Sequence, residues 1–231
     1  MTDATSGVGA ACVAQLAGAG HHVIALGRCE SRLRELAAPC PPGRVSTLIS
    51  DLRDRSRLRA SLASLPNPFS CPDTLINNAG LMLGQGRFDE LSEEDAQAMI
   101  TANCTGMLNA TSALLDSLSA SGRGHIVNVT SIAASHPYAG GHVYAASKAF
   151  VESFGDCLRV ELVERRIKVT NVSPGGAGTG FNLVHTLGNR ALSAQGGMQV
   201  APLDDADVAR AIGWALDQPD DVNVNALARL F

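Results

Sequence analysis

The chain has 231 residues, of which 45% are hydrophobic and 17% charged, with a formal net charge of −4 at pH 7. This much apolar material is enough for the core of one α/β domain and excludes intrinsic disorder. The chain is weakly acidic, whereas nucleic-acid binding requires a basic surface, so we expect no nucleic-acid partner.

The cysteines and the apolar runs indicate the cellular compartment in which the protein is expected. Six cysteines lie far apart with no C-x-x-C pair, which is typical of reduced thiols in a cytosolic protein. No apolar run reaches transmembrane length, and the polar first residues do not resemble a signal peptide. We therefore expect a soluble, cytoplasmic protein with no membrane partner.

Short apolar runs rich in β-branched residues alternate with segments of helical period. This alternation indicates βαβ units around a parallel sheet that is buried on both faces. Right-handed crossovers then predict a doubly wound, Rossmann-like sheet with helices on both faces, as a single domain over 1–231. The predicted strands are 22–26, 45–50, 74–77, 125–130, 168–172 and 222–227. The predicted helices are 8–18, 54–64, 92–119, 143–164 and 204–217.

The first strand of this fold is truncated in the sequence, because a glycine-rich turn follows Met1 almost directly. That strand is central in the order 3-2-1-4-5-6. Its four or five buried aliphatic side chains would contribute about 6–15 kcal/mol, as much as the whole stability of a domain, about 5–15 kcal/mol. Three explanations stay open: the sequence starts too late, another segment fills the gap, or the protein is poorly stable.

The glycine-rich turn opens the helix predicted at 8–18. Its glycines permit the backbone to approach a pyrophosphate closely, and the helix N-terminus supplies N–H donors and positive partial charge. A G-x-G sequence alone is equally typical of an ordinary turn. The candidate cofactor-binding residues in this turn are Thr2, Thr5, Ser6, Gly7, Val8 and Gly9.

Two strand ends supply candidates for the adenosine half of a dinucleotide site. Arg28 follows the strand 22–26, where an acidic residue would favour NAD and a guanidinium suits the 2′-phosphate of NADP(H). The alternative is a solvated surface arginine. Asp51, next to Leu52, ends the strand 45–50 and can accept a hydrogen bond from the adenine amino group, or it caps the following helix.

An Asn-Asn-Ala-Gly sequence follows the strand 74–77. It is unusual for a purely structural turn, since it places two amides at the crevice where open α/β sheets bind ligands. We therefore assign Asn78, Ala79 and Gly80 to the cofactor site as well.

A tyrosine and a lysine occupy one face of the helix 143–164. Tyr144 and Lys148 are four residues apart, and Ser131 lies thirteen residues before the tyrosine. A tyrosine has an ordinary pKa of about 10, and a nearby ammonium group or an oxidised nicotinamide lowers it. Such a tyrosine can exchange a proton with an alcohol or a ketone. The pair alone is usually structural, but the preceding motifs in this order favour an enzyme.

These motifs together resemble those of the short-chain dehydrogenase/reductase superfamily over essentially the whole chain. The resemblance implies that Ser131 polarises the carbonyl, Tyr144 is the acid and base, and Lys148 binds the nicotinamide ribose. It also implies that Asn103 holds a proton-relay water. The turn expected to contact the nicotinamide side of the cofactor contains Pro174, Gly175 and Thr179.

A narrower resemblance is to the bacterial NADP-dependent serine/3-hydroxy-acid dehydrogenases. It rests on Gly27, Arg28 and the segments 63–66, 137–141 and 219–227. It implies NADP(H)-dependent hydride transfer between a small hydroxy compound, such as the 3-hydroxy acid serine, and its ketone. The alternative is a catalytically impaired, NADP(H)-binding regulatory protein of the same fold.

The same resemblance implies a homodimer or homotetramer formed through the helices 92–119 and 143–164. It also implies a substrate lid over 178–200, in which Arg190 is the strongest candidate to bind a substrate carboxylate. We expect no metal, because the six histidines show no metal-ligand spacing. His136 and His142 flank the catalytic loop, where such residues contact substrate or, more commonly, belong to the surface or the packing.

The chain departs from the family pattern at Asp3, which replaces the first glycine of the turn. A carboxylate near the phosphates of a cofactor would weaken binding through repulsion between like charges. The alternative is that Asp3 caps the helix that follows.

Overall fold

All strands in the computed structural model, which describes residues 1–84, 86–175 and 203–230, are parallel. They form two groups, a pair and a four-stranded sheet, each hydrogen-bonded in chain order. The pair is β1 (Val23–Gly27) with β2 (Val45–Ile49). The larger sheet is β3 (Thr74–Asn77), β4 (His125–Val129), β5 (Lys168–Pro174) and β6 (Ala226–Leu230).

Helices cover both faces of these strands. Successive strand residues point to opposite sides, and the apolar residues on each side are buried against helices. Ile76 and Val127 pack into a core with the helices Gly7–Gly18 and Asp205–Leu216, while Leu75 and Ile126 pack into a second core with the helices Arg55–Ala63, Gly106–Ala120 and His142–Glu161. The predicted Rossmann-like arrangement is therefore confirmed. The helices are α1 (Gly7–Gly18), α2 (Glu30–Ala37), α3 (Arg55–Ala63), α4 (Glu93–Ile100), α5 (Gly106–Ala120), α6 (His142–Glu161) and α7 (Asp205–Leu216).

The segment 1–4 joins the two groups of strands. The N–H of Leu26 in β1 donates to the carbonyl of Met1 at 3.0 Å, and the N–H of Thr2 donates to the carbonyl of Ile76 in β3 at 3.1 Å. The first regular element is α1, so no full strand precedes the glycine turn, as expected. Four residues thus connect β1 to β3 at their carboxyl ends.

The final strand was expected four residues earlier than its observed start. Asn223 occupies the place of the first pairing residue with its side chain: its Oδ1 accepts from the N–H of Val169 at 2.8 Å. Its Nδ2 donates to the carbonyl of the same residue at 3.1 Å. Because this amide satisfies the edge of β5, regular backbone pairing begins only at Ala226.

Two general features bear on the environment of the protein. Within the described ranges, no helix is long and apolar enough to cross a bilayer. All six cysteines are described, and each is a free thiol.

A buried row of asparagines fixes α6 on the sheet. Asn77 Nδ2 donates to Asn128 Oδ1 at 3.1 Å, and Asn128 Nδ2 donates to Asn171 Oδ1 at 3.0 Å. Asn171 Nδ2 then reaches the carbonyl of Glu152 in α6 at 3.0 Å. The row runs directly under Gly155, where a Cβ atom would lie 2.2 Å from Asn171 Oδ1.

Substitution Gly155→Ala should therefore destabilise the protein by about 1–3 kcal/mol, because the added methyl overlaps a buried amide. Without that overlap, alanine would be the better helix former. The matched control is Ser153→Ala on the exposed side of the same helix, with an expected change within about 0.5 kcal/mol. Urea unfolding measures both, and equal stability of the two variants would contradict the packing described.

Candidate active site

The site lies along the carboxyl edge of the strands, where the glycine turn meets the Asn-Asn-Ala-Gly loop. The hydroxyl of Thr2 accepts hydrogen bonds from the N–H groups of Asn78 at 2.9 Å and Ala79 at 3.1 Å. Asn78 Nδ2 donates to the carbonyls of Thr2 and Asp3, both at 3.2 Å. The two predicted cofactor motifs are thus one hydrogen-bonded unit, and the side chain of Asn78 serves to hold the turn.

The turn forms a cradle that suits a phosphate group. Gly7 has φ +54°, in the left-handed region that glycine adopts without strain. A Cβ on Gly9 would lie 2.2 Å from the carbonyl oxygen of Asp3 and 2.9 Å from Asn78 Nδ2. Ser6 begins α1 without a side-chain capping bond, so its hydroxyl does not cover the helix N-terminus. The residues present therefore fit a pyrophosphate.

The adenosine end of the crevice lies beside β1 and β2. Arg28 is exposed directly after β1, and Ser50, whose N–H donates to the carbonyl of Gly27 at 3.1 Å, has a buried hydroxyl without a hydrogen-bond partner. Thr5 is adjacent, since a Cβ on Gly27 would lie 2.9 Å from its methyl group. A bound nucleotide phosphate would find an exposed cation, Arg28, here.

Asp51 is engaged by a neighbouring arginine. Arg53 Nε lies 2.9 Å from both carboxylate oxygens, and this contact lowers the pKa of Asp51. The alternative in which Asp51 caps α3 is wrong, because Asp54 is the cap and accepts from the N–H of Arg57 at 2.9 Å. Leu52 is fixed by a hydrogen bond from Asn109 Nδ2 to its carbonyl at 2.8 Å.

Ser131, Tyr144 and Lys148 converge at the same edge. Ser131 follows β4, begins a 3₁₀ turn over Ile132–Ala134 and forms a hydrogen bond with Tyr144. Lys148 Nζ donates to the carbonyl of Val129 at 2.9 Å and lies 5.9 Å from the centre of the Tyr144 ring. It would also lie 3.1 Å from a Cβ on Gly80, so the loop residue must be small for the ammonium to fit.

The protonation of this trio differs from the sequence-based expectation. Burial raises the pKa of Tyr144 to about 12, and the hydrogen bond with Ser131 lowers it only in part. The predicted decrease caused by the lysine was wrong for the free protein, because desolvation of the phenolate outweighs other effects. Burial also lowers the pKa of Lys148 to about 8. The phenol therefore keeps its proton throughout the neutral range.

Asn103 lies in a π-helical turn, Thr101–Thr105, that interrupts the predicted helix 92–119. Its Oδ1 accepts from the N–H of Leu81 at 2.6 Å, and its Nδ2 donates to the carbonyl of Leu81 at 2.9 Å. Nδ2 also donates to Ser147 Oγ in α6 at 2.8 Å. Such turns occur frequently at functional sites. Here the amide fixes the segment after Gly80 against α6.

The remaining candidates are placed as follows. Pro174 ends β5 at an irregularity in its pairing with β6, and Gly175 follows. Thr179, Arg190 and the expected lid 178–200 lie outside the described residues. Val8 is half-buried in the first turn of α1.

The two histidines of the catalytic loop make local contacts. His142 Nε2 is 3.3 Å from the carbonyl of Gly86, and its ring packs edge-on against Phe88 with centroids 5.3 Å apart. His136 Nδ1 is 2.9 Å from Ser135 Oγ. In the part of the chain that the structure describes, no cluster of three or more His, Cys, Asp or Glu residues could hold a metal.

Sequence reasoning did not identify Ser147 as part of the site. Its hydroxyl donates to the carbonyl of Tyr144 at 2.7 Å and accepts from Asn103, so it joins the catalytic helix to the π turn. The only signal was its position inside the Tyr-x-x-x-Lys motif. The spacing of residues in this motif does not indicate that the π turn containing Asn103 packs against Ser147.

Comparison with known proteins agrees with this geometry. The family model described as short chain dehydrogenase matches residues 1–186. A sulfoacetaldehyde reductase of Chromohalobacter salexigens is 42% identical over 229 residues, covering 98% of this chain and 91% of that protein. An NADP-dependent 3-hydroxy acid dehydrogenase of Escherichia coli (strain K12) is 37% identical, with 98% and 92% coverage.

A solved structure is similarly close. The closed form of a serine dehydrogenase complexed with NADP⁺ has a TM-score of 0.93 and 37% identity, and the match covers 99% of this chain and 92% of that one. The chain belongs to the short-chain dehydrogenase family. Within it, the chain is similar to serine and 3-hydroxy-acid dehydrogenases and to a sulfoacetaldehyde reductase.

Substitution Gly9→Ala should abolish NADPH binding, because its Cβ would overlap the Asp3 carbonyl and force the turn apart. Gly18→Ala at the other end of α1 is the matched control, since a Cβ there meets nothing within 4 Å. Isothermal calorimetry with NADPH compares the two variants. Unchanged affinity in Gly9→Ala would show that the cofactor does not use this turn.

Proposed function

We propose that this protein is an NADP(H)-dependent oxidoreductase that interconverts a small hydroxy compound and its carbonyl form by hydride transfer. The observation that carries the proposal is the convergence of Ser131, Tyr144 and Lys148 beside the cradle at Gly9. The names of the relatives support the same chemistry.

In this proposal the glycine turn holds the pyrophosphate, Arg28 holds the phosphorylated ribose, and Lys148 holds the nicotinamide ribose. When bound, NADP(H) supplies or accepts the hydride, and its oxidised form adds a positive charge near Tyr144. We also propose that Asp51, Leu52, Pro174, Gly175 and Thr179 contact the cofactor.

Tyr144 moves the proton. Because its pKa is about 12 in the free protein, the phenol is an acid in the neutral range and donates its proton to the oxygen of a carbonyl substrate as hydride arrives at carbon. In the reverse direction the phenolate takes the hydroxyl proton, which requires positive charge nearby. Lys148 supplies part of that charge. Ser131 holds the substrate oxygen, and we propose that Asn103 serves the proton relay.

The relatives narrow the substrate class. A 3-hydroxy acid and sulfoacetaldehyde share one feature: a single carbon separates the reacting carbon from a carboxylate or a sulfonate. We propose a short substrate of this kind, such as serine, 3-hydroxypropionate or sulfoacetaldehyde. Arg190 remains the candidate partner of the acid group.

A catalytically impaired regulatory protein is less well supported. Such a protein would be free to lose its proton-transfer residues, whereas Ser131, Tyr144 and Lys148 are present and assembled. Measurable turnover of a hydroxy compound or its carbonyl form would distinguish the enzyme from a regulatory protein that only binds NADP(H).

Substitution Tyr144→Phe should lower turnover by a factor of about 10²–10⁴, because general acid–base catalysis is lost, while NADPH binding persists. Tyr138→Phe is the control, since Tyr138 is the only other tyrosine and is partly exposed. NADPH oxidation is followed with sulfoacetaldehyde and with 3-oxo acids. Equal loss in both variants, or none in Tyr144→Phe, would refute the assigned role.

We also propose a homodimer or homotetramer built on the outer faces of α5 and α6. Large apolar side chains are exposed along these helices and the preceding α4; they are Ile100, Leu108, Phe150 and Val160. Burial of such side chains is a main source of association free energy. The cytoplasmic location stays a prediction.

Light scattering should give the mass of two or four chains, and Leu108→Glu should lower it, because a carboxylate cannot be buried unpaired in an apolar interface. A monomeric mass for the unmodified protein would contradict this arrangement.

A further inference from the structure

Asp3 is the only acidic residue in the turn 2–9, and its backbone is held in place. Its φ is +48°, in the left-handed region, which aspartate tolerates better than most residues. The carbonyl of Asp3 accepts from Asn78 Nδ2 at 3.2 Å and faces Gly9. The residue therefore cannot swing away from the phosphate cradle without breaking the turn.

Asp3 lies close enough to two arginines at the adenosine end, Arg28 and Arg32, to interact with them electrostatically. The N–H of Ala4 donates to the carbonyl of Leu26 at 3.0 Å, which places Asp3 beside the end of β1, just before Arg28. Burial raises the pKa of Asp3, and the positive charges of Arg28 and Arg32 lower it. Neither arginine comes within the 4.0 Å of an ion pair with Asp3. The charges act on one another through space.

Two structural roles for Asp3 do not fit these contacts. Ser6 is the N-cap of α1, and within the described ranges the Asp3 carboxylate makes no capping bond to that helix. It also does not orient Arg28, because the two side chains are not in contact. What remains is its charge, carried by a residue whose backbone lies between the cradle at Gly9 and the end of β1 that precedes Arg28.

We propose that Asp3 determines how tightly and how selectively this site holds its cofactor. Its negative charge repels the pyrophosphate of any dinucleotide and screens Arg28 from the 2′-phosphate of NADP(H). The protein therefore releases NADP(H) faster, and discriminates less against NAD(H), than the same site would without this charge. The proposal rests on the proposed NADP(H) function.

The test is Asp3→Asn, which removes the charge, keeps the size and tolerates the left-handed backbone. Stopped-flow fluorescence gives the dissociation constant and the dissociation rate for NADPH and for NADH, at low salt and at about 1 M salt, where the screening length falls to about 3 Å. Asp221→Asn is the control for net charge, since Asp221 is exposed in the loop before β6, at the opposite edge of the sheet. Asp3→Gly is a second variant in which position 3 is uncharged, as it is in Asp3→Asn.

We expect Asp3→Asn to bind NADPH about tenfold more tightly at low salt, mainly through slower dissociation, as one unpaired charge near a phosphate predicts. The gain for NADH should be smaller, and both gains should shrink at high salt. In the Arg28→Gln background, the gain for NADPH should fall to that for NADH. Asp221→Asn should change neither affinity.

Equal or weaker NADPH binding by both Asp3 variants would overturn the proposal and leave the NADP(H) function intact. Absence of NADPH binding in the unmodified protein together with binding in Asp3→Asn would support it in its strongest form. Absence of binding in every variant would overturn both the role of Asp3 and the assigned cofactor.

Discussion

The site depends on the hydrogen bonds by which the segment 1–4 joins the two groups of strands: Met1 and Ala4 bond to Leu26 of β1, and Thr2 bonds to the end of β3. The N–H and the hydroxyl of Thr2 both donate to the carbonyl of Ile76, at 3.1 and 3.3 Å, and the hydroxyl also accepts from Asn78 and Ala79. One side chain thus fixes the glycine turn, the end of β3 and the loop after it. Because β1 and β3 are not hydrogen-bonded to each other in the described ranges, the relative position of their carboxyl ends, where the cofactor crevice lies, depends on this junction.

The residues that we propose as catalytic lie on the other side of the same junction. Gly80 lies against the ammonium of Lys148, and Asn103 fixes Leu81, the next residue, to α6 through Ser147. Burial then decides the chemistry, because it keeps the Tyr144 phenol protonated and makes the lysine less basic than in water. In the role we propose for it, Tyr144 is therefore first a proton donor, and it acts as a base only when further positive charge is nearby.

The sequence predicted the positions of the first five strands to within about two residues and the order of the motifs, since both depend on local patterns of apolar, glycine and polar residues. It could not predict features that arise between distant segments. The pKa of Tyr144 depends on packing around α6, and β6 starts late because a side chain, that of Asn223, pairs with β5 first. The row of asparagines could not be predicted either, because it depends on the register of three strands. The separate positions of Asn77, Asn128 and Asn171 in the sequence do not reveal that register.

Titration of the unmodified protein with NADPH and, separately, with NADH, followed by nicotinamide fluorescence, tests the central claim most directly. If Thr2 and its neighbours build a complete crevice with Arg28 at its adenosine end, NADPH should bind saturably and more tightly than NADH. Absence of saturable binding of either nucleotide would contradict the account, because the turn and the catalytic edge would then not form one dinucleotide site.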